Sequence, residues 1–286
     1  MWDWRKLPGV TCAQDPDELP RFHTYRVDGD FTGGVTNGTQ GVAVLDYIRD
    51  GVSAHKAWFF DNDETILLGE DIFASGAQPI GTTINQCRRR GPVLVKRTNR
   101  PVAEQPSGRF VFTDVEWIEH DGWRYTFPPA QSVCLEIETR RGYWNRIYQN
   151  STTPTAEVAQ EVFTVWIDHG SRPDHVAYAC IVGPAGGDAK ARVLANRTGL
   201  QSVALRDGRT GFIFWQPGKA DFAGTPSLAV NAPSLALLDK NENRLTVAEP
   251  TQKLSRLLVT LNGVNRSIDL PLNGNAGSSV EVRIES

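Results

Sequence analysis

Short apolar runs closed by Gly, Asn, Asp or Pro recur along nearly the whole chain, and this constrains the fold more than any other feature. They cover 41–47, 56–60, 65–68, 93–95, 110–115, 123–127, 133–139, 162–168 and 178–182. Runs this short, bounded by turn residues, read as strands. Their succession without helical patterns between them predicts an all-β, antiparallel sandwich architecture and not βαβ units. The 26 Gly and 17 Pro supply the turns. Only 155–160 and 187–196 carry helical hints, and both are short.

The best-defined hairpin lies in 33–70. A loop rich in Gly, Thr and Asn leads into a strand, then the aromatic run Trp58-Phe59-Phe60, the acidic turn Asp61-Asn62-Asp63-Glu64 and a second apolar strand. Asn/Asp turn chemistry between two strands predicts a hairpin with one buried face. The loop before it has the composition of a ligand-facing edge. A later change of character at Gly183-Pro184-Ala185-Gly186-Gly187-Asp188 marks a linker. Seven of the eight Trp lie before it. The expected organisation is a large sandwich over 1–185 and a smaller one over 186–286, of about the usual size for such a domain.

A net charge of −3 gives no general attraction to nucleic acid or anionic lipid. No apolar run approaches the roughly 20 residues of a membrane span. The start, Met1-Trp2-Asp3-Trp4-Arg5-Lys6, is amphipathic and not a signal peptide, which leaves a cytoplasmic location and a removed leader both open. Cys12, Cys87, Cys134 and Cys180 form no CxxC pair, so neither a zinc ribbon nor a redox motif is expected. Buried free thiols are the plain reading, and one disulfide can form in an oxidising compartment. His23, His55, His120 and His175 show no metal-ligand spacing, and no cofactor is expected. The acidic turn at 61–64 is the one place where a structural Ca²⁺ would find carboxylates, although it lacks EF-hand spacing.

Three stretches could bind a ligand. Trp2 and Trp4 beside Arg5 can stack sugar rings through C–H faces and cation–π contacts. Asn37, Thr39 and Gln40 offer amides and a hydroxyl in the glycine-rich 33–41 loop, which is not a phosphate loop because neither Gly-Lys-Ser/Thr nor a helix follows. Arg88, Arg89 and Arg90 could clamp carboxylates or sulfates. Asp168 and His169 are adjacent on a strand and so point to opposite faces. No nucleophilic serine elbow accompanies them, and a structural role is expected. No stretch forms a complete catalytic constellation.

The motif Trp2-Asp3-Trp4-Arg5-Lys6-Leu7-Pro8-Gly9-Val10-Thr11 resembles the opening of the β-domains of polysaccharide lyase family eight, the hyaluronate, chondroitin and xanthan lyases. Phe31-Thr32-Gly33-Gly34-Val35, Gly41-Val42-Ala43-Val44-Leu45-Asp46-Tyr47 and Ala54-His55-Lys56-Ala57-Trp58-Phe59-Phe60 follow in the family's order. Leu68-Gly69, Thr82-Thr83-Ile84-Asn85-Gln86 and Trp166-Ile167-Asp168-His169-Gly170 complete the agreement over 2–182. The resemblance implies a large antiparallel β-super-sandwich followed by a smaller C-terminal β-sandwich. It also implies an N-terminal α/α toroid, as domain or partner subunit, that carries the Asn, His, Tyr and Arg of uronate β-elimination. The chain is expected to begin where that toroid ends, so the resemblance assigns it no catalytic residue.

What the resemblance does imply is one wall of the cleft for an acidic polysaccharide, formed by the 33–41 loop. Asn37 stands where some chondroitin lyases place a functional glutamate. An amide there can hydrogen-bond a sugar but cannot act as a base. Secreted or periplasmic location follows from the extracellular substrates of the family. The alternative is a non-catalytic carbohydrate-binding module or the partner subunit of a separate toroid protein.

Overall fold

A computed structural model describes residues 2–15, 28–128 and 131–284; His23 lies outside them. Every long element there is a strand, the strands pair antiparallel, as Pro79–Arg88 does with Glu157–Ser171, and the helices are three-residue 3-10 turns such as Trp4–Lys6 and Trp144–Arg146. Among the described residues no helix is long and apolar enough to cross a membrane. Neither helical hint is a helix: 157–160 belongs to the strand Glu157–Ser171 and 192–196 to the strand Arg192–Arg197, with turn or irregular backbone before each. Helix formers such as Ala159 and Gln160 are overridden because the strand continues in register against Ser132–Tyr143, from Ser132↔Asp168 to Tyr143↔Glu157. Tertiary pairing outweighs the weak local preference of so short a stretch.

The chain packs as two compact units: the described parts of Met1–Tyr25 with Ala74–Pro173, and those of Arg26–Phe73 with Asp174–Ser286. In the first, five strands run in the order Thr11–Ala13, Pro79–Arg88, Glu157–Ser171, Ser132–Tyr143, Gly108–Phe112. Facing them are Trp123–Thr126, Val115–His120, Leu94–Arg97 and Ala103–Glu104. Alternate residues meet between the two layers. Phe163 stacks on His120 at 4.4 Å and lies against Tyr125 at 5.9 Å, while the Asn85 amide donates to the Tyr125 hydroxyl at 2.6 Å.

The second unit is a three-layer stack. Thr32–Thr36, Gly41–Arg49, Val52–Asp61, Glu64–Ala74 and Val176–Pro184 form one layer. A six-stranded sheet forms the middle, in the order Arg192–Arg197, Leu200–Ala204, Arg209–Phe214, Ser234–Asp239, Arg244–Ala248, Val280–Arg283. Gly218–Ala220, Leu228–Val230, Arg256–Leu261 and Val264–Asp269 close the third. The central strands Arg209–Phe214, Ser234–Asp239 and Arg244–Ala248 are buried on both faces, so their interiors are largely apolar. Ile213, Leu235 and Leu237 pack toward Val42, Phe59 and Leu68, whereas Phe212, Phe214 and Leu238 pack toward Leu228, Leu257 and Val259.

Gly211 makes the first of these interfaces close. A Cβ there would stand 2.7 Å from the Phe59 ring. Phe59 is therefore core, but Phe60, one residue on, is 45% exposed, so the aromatic run splits between the two faces of its strand. The expected boundary at 185/186 falls within this unit, in the turn after Val176–Pro184. The strands of 186–286 form two packed sheets, and the first of them also covers the 32–73 strands.

Candidate functional site

The first unit carries an aromatic cleft of about 320 Å³, lined by Trp2, Trp4, Arg88, Tyr143, Trp144 and Ile147. Trp4 sits in the turn Trp4–Lys6, which Gln86 ties to the sheet. The buried Gln86 amide donates to the Asp3 carbonyl at 2.9 Å and the Lys6 carbonyl at 2.6 Å. Its carbonyl accepts from Asp3 N at 2.8 Å and from the Arg140 guanidinium at 2.9 Å. All its hydrogen-bonding capacity on these sides is used.

Lys6 seats the far end of the turn, its ammonium 4.4 Å from the Trp166 ring centroid. Asp3 caps the turn by accepting from Arg5 N at 3.0 Å. Burial raises its carboxyl, but the hydrogen bonds from Arg5 and the charges of Lys6 and Arg5 outweigh that and hold it below the ordinary range. The opposite wall comes from the end of Ser132–Tyr143, where the turn at Trp144 accepts from Ile147 N and Tyr148 N.

The sequence placed Trp2, Trp4 and Arg88 among the ligand-binding residues, and the fold brings these three together. Arg5 is turned away. Its guanidinium pairs with Asp3 at 3.1 Å and donates to the Asp15 carbonyl. Arg88, Arg89 and Arg90 do not form one clamp, because successive residues leaving a strand diverge. Arg89 lies between Glu161 at 3.5 Å and Glu104 at 3.8 Å, and Arg90 faces Asp121 at 3.9 Å. Arg88 makes no ion pair with a described carboxylate. Tyr143, Trp144 and Ile147 were missed by sequence reasoning. The signal was the aromatic run Gly142-Tyr143-Trp144-Asn145-Arg146-Ile147-Tyr148, too long in apolar rings for a solvent-facing hairpin end.

The 33–41 loop lies in the second unit. Asn37 Oδ1 accepts from Thr39 N at 3.1 Å, Thr39 Oγ1 at 3.1 Å and Gln40 N at 2.9 Å, so the amide braces its own turn. Gly38 supplies the positive φ of 94° that this turn needs. Thr39 lines a shallow depression with Gly34, Gly41 and Phe60, and Asn37 stands beside it in the turn. Gln40 does not present its side chain to this edge. It is buried and donates to Asp61 at 2.6 Å.

The acidic turn is likewise occupied. Asp61 accepts from Arg206 N at 2.7 Å, Asp63 pairs with the Arg206 guanidinium, and Glu64 accepts from Lys190 N at 2.8 Å and Ala191 N at 2.9 Å. These carboxylates hold the crossing into the middle sheet. Among the described residues no group of three or more His, Cys, Asp or Glu could hold a metal.

Two histidine arrangements resemble catalytic pairs without their chemistry. His120 Nε2 accepts from Arg90 N at 2.9 Å, so its proton sits on Nδ1, facing Cys87 Sγ at 3.6 Å. Burial pushes the thiol up to about 11 and holds the imidazole below its usual value, the reverse of an activated thiolate–imidazolium pair. His55 Nδ1 meets the buried Glu70 at 2.6 Å and its ring stacks on Trp215 at 4.0 Å, with no nucleophile in the group. Asp168 and His169 do not pair. Asp168 accepts from Gly170 N, and His169 bonds the Thr82 hydroxyl at 2.8 Å.

The family model described as polysaccharide lyase family 8, super-sandwich domain, matches residues 1–195, and that of the family's C-terminal beta-sandwich domain matches 192–257. A chondroitinase-AC of Pedobacter heparinus is 31% identical over 99% of this chain and 43% of its own length. A xanthan lyase of Bacillus sp. (strain GL1) is 28% identical over 73% of this chain and 24% of its own. A solved chondroitinase AC lyase superposes with a TM-score of 0.86 at 29% identity, over 98% of this chain and 44% of that one. The chain thus spans less than half the length of these relatives.

Proposed function

The chain belongs to polysaccharide lyase family 8, and from that we propose that it is the β-structured portion of a lyase cleaving uronic-acid-containing polysaccharide by β-elimination. Hyaluronan, chondroitin and xanthan represent the substrate class. The supporting observation is that both β-domains of the family are matched, in order, along one chain. In this reading the 33–41 loop forms a wall of the substrate cleft through Asn37 and Thr39, and an α/α toroid supplies the base and acid. Elimination beside a carboxylate needs positive or hydrogen-bonding groups held ready for the charge that builds on it. No described constellation here does that and also moves the proton. The polymeric substrate sets the place of action outside the cytoplasm, secreted or periplasmic.

The purified chain should be retarded in native gels cast with chondroitin or hyaluronan. It should release no unsaturated ends, read by ultraviolet absorbance, until a toroid from a family member is supplied. Release by the chain alone would refute the division of labour, and migration unaffected by any acidic polysaccharide would refute the binding role. The half-exposed indoles of Trp2, Trp4 and Trp144 favour a second reading, a carbohydrate-binding module or partner subunit. It is distinguished by binding that persists with no activity after every toroid is tried.

A further inference from the structure

We propose that the cleft between Trp2, Trp4 and Trp144 is itself a binding site for an acidic glycan, with the C–H faces of a sugar ring on the indoles and its carboxylate or sulfate on Arg88. The acidity of the ligand rests on the family reading; the site rests on the geometry of this unit. The cavity, about 320 Å³, is at the small end of ligand sites, which combine apolar rings with a few placed polar groups. Trp2, Trp4 and Trp144 are 44%, 45% and 51% exposed around it. So large an apolar area left in water in one place marks a surface that something covers.

The charges say what covers it. Of the three consecutive arginines, Arg89 and Arg90 face carboxylates, and Arg88, on the cleft wall, faces none that is described. Arg146, also without a described carboxylate, lies 4.7 Å over the Tyr143 ring on the other wall. Gln160 adds an amide. An apolar protein segment seated here would bury these guanidiniums without counter-charge, which is strongly unfavourable. A flat sugar bearing an anion satisfies both features at once, stacking on the rings and pairing bidentately with a guanidinium.

The walls are also pre-set. Gln86 fixes the turn of Trp4 through its bonds to Asp3 and Lys6, and the turn at Trp144 is closed by its own backbone bonds. Little ordering is left for the ligand to impose.

The test titrates the purified chain with chondroitin sulfate and hyaluronan oligosaccharides, and with a neutral cello-oligosaccharide, following tryptophan fluorescence and calorimetry. Acidic oligosaccharides should quench fluorescence, and Trp144→Ala should weaken their binding about tenfold, equivalent to about 1.4 kcal/mol. Arg88→Gln should weaken the acidic ligands at least about fivefold, flatten their salt dependence and leave the neutral one unchanged. Asn37→Ala with Thr39→Ala, in the other unit, reads the contribution of the 33–41 loop separately, and the losses caused by Trp144→Ala and Arg88→Gln should be the same in that background. Trp144 and Arg88 are exposed, and near-ultraviolet circular dichroism of each variant checks that the fold is retained.

Acidic oligosaccharides that bind the Trp144→Ala and Arg88→Gln chains as tightly as the parent, but are lost from the loop variant, would overturn this site and leave the proposed function standing. Equal affinity for neutral and acidic ligands would also overturn it. Absence of any acidic-glycan binding by the parent chain would overturn both.

Discussion

Replacing Gln86 with leucine should release the turn that carries Trp4 from the sheet beneath it. Leucine is no smaller than glutamine, so no cavity opens, and the main loss is the hydrogen bonds. Three of the four go to the turn's backbone: Asp3 N at 2.8 Å, Asp3 O at 2.9 Å and Lys6 O at 2.6 Å. Arg140 retains Glu136 at 3.0 Å and also Glu138, so its share is small. At about 1 kcal/mol net for each backbone bond the turn loses about 3 kcal/mol, or roughly a hundredfold in its opening equilibrium.

The readout is native-state amide exchange. Gly9 N donates to Thr83 O at 2.8 Å and Thr83 N to Val10 O at 3.0 Å, so both amides are shielded only while the turn is docked. Both should exchange about a hundredfold faster in the variant, while amides within Leu94–Arg97 of the same unit keep their rates. A change at Gly9 and Thr83 below about threefold would refute the reasoning, since it would mean that the residual contacts suffice without Gln86.

His120 is held neutral by burial, so the unfolded chain, near the ordinary 6.5, takes up its proton first. Its contribution to stability is complete above about pH 6.5 and is lost as pH falls through the window below. Protonation would also end the bond from Arg90 N. The urea midpoint should drop between pH 7.5 and 5 by less in His120→Gln than in the parent, and parallel profiles would count against this assignment. Glu64→Gln should cost about 2–3 kcal/mol in urea unfolding, because an NH₂ replaces one acceptor facing Lys190 N and Ala191 N. A chelator should leave the melting temperature of the parent unchanged, and a clear drop would show that the 61–64 turn holds a cation. The four cysteines are free thiols. Burial pushes Cys87 and Cys134 up to about 11 and Cys180 higher still. Alkylation of these three near neutral pH should be slow until the chain is denatured, and rapid labelling of Cys87 in the native protein would contradict the burial.

The strand content was legible because alternation and turn chemistry act within a few residues. Gly41–Arg49, Val52–Asp61 and Glu64–Ala74 appear close to where the apolar runs placed them, the first extended at its far end and the other two at both ends. The same local logic misled at 155–160. There Ala, Glu and Gln favour a helix only slightly, and the long register with Ser132–Tyr143 decides the matter. It also misled at Phe110 to Val115. What reads as one run is cut by a turn into Gly108–Phe112 and Val115–His120, strands of opposite layers.

The sites divide in the same way. Sequence alone established an antiparallel β-protein, its family likeness and the residue types that could hold an acidic sugar, because composition, spacing and ordered motifs are properties of the chain itself. Only the tertiary structure decided which of those side chains meet. Gln40 and Arg5 look as available as Asn37 and Arg88, yet Asp61, set beside Gln40 by the pairing of their strands, claims the first, and the neighbouring Asp3 carboxylate with the Asp15 carbonyl claims the second. Arg88, Arg89 and Arg90 are alike on paper and are separated because carboxylates face Arg89 and Arg90 while none that is described faces Arg88. Tyr143 and Trp144 join the aromatic cleft because a strand far along the chain ends beside Trp2 and Trp4. Side-chain character is written locally, whereas availability depends on long-range partners, and in a sheet protein those partners are set by registers that no single stretch encodes.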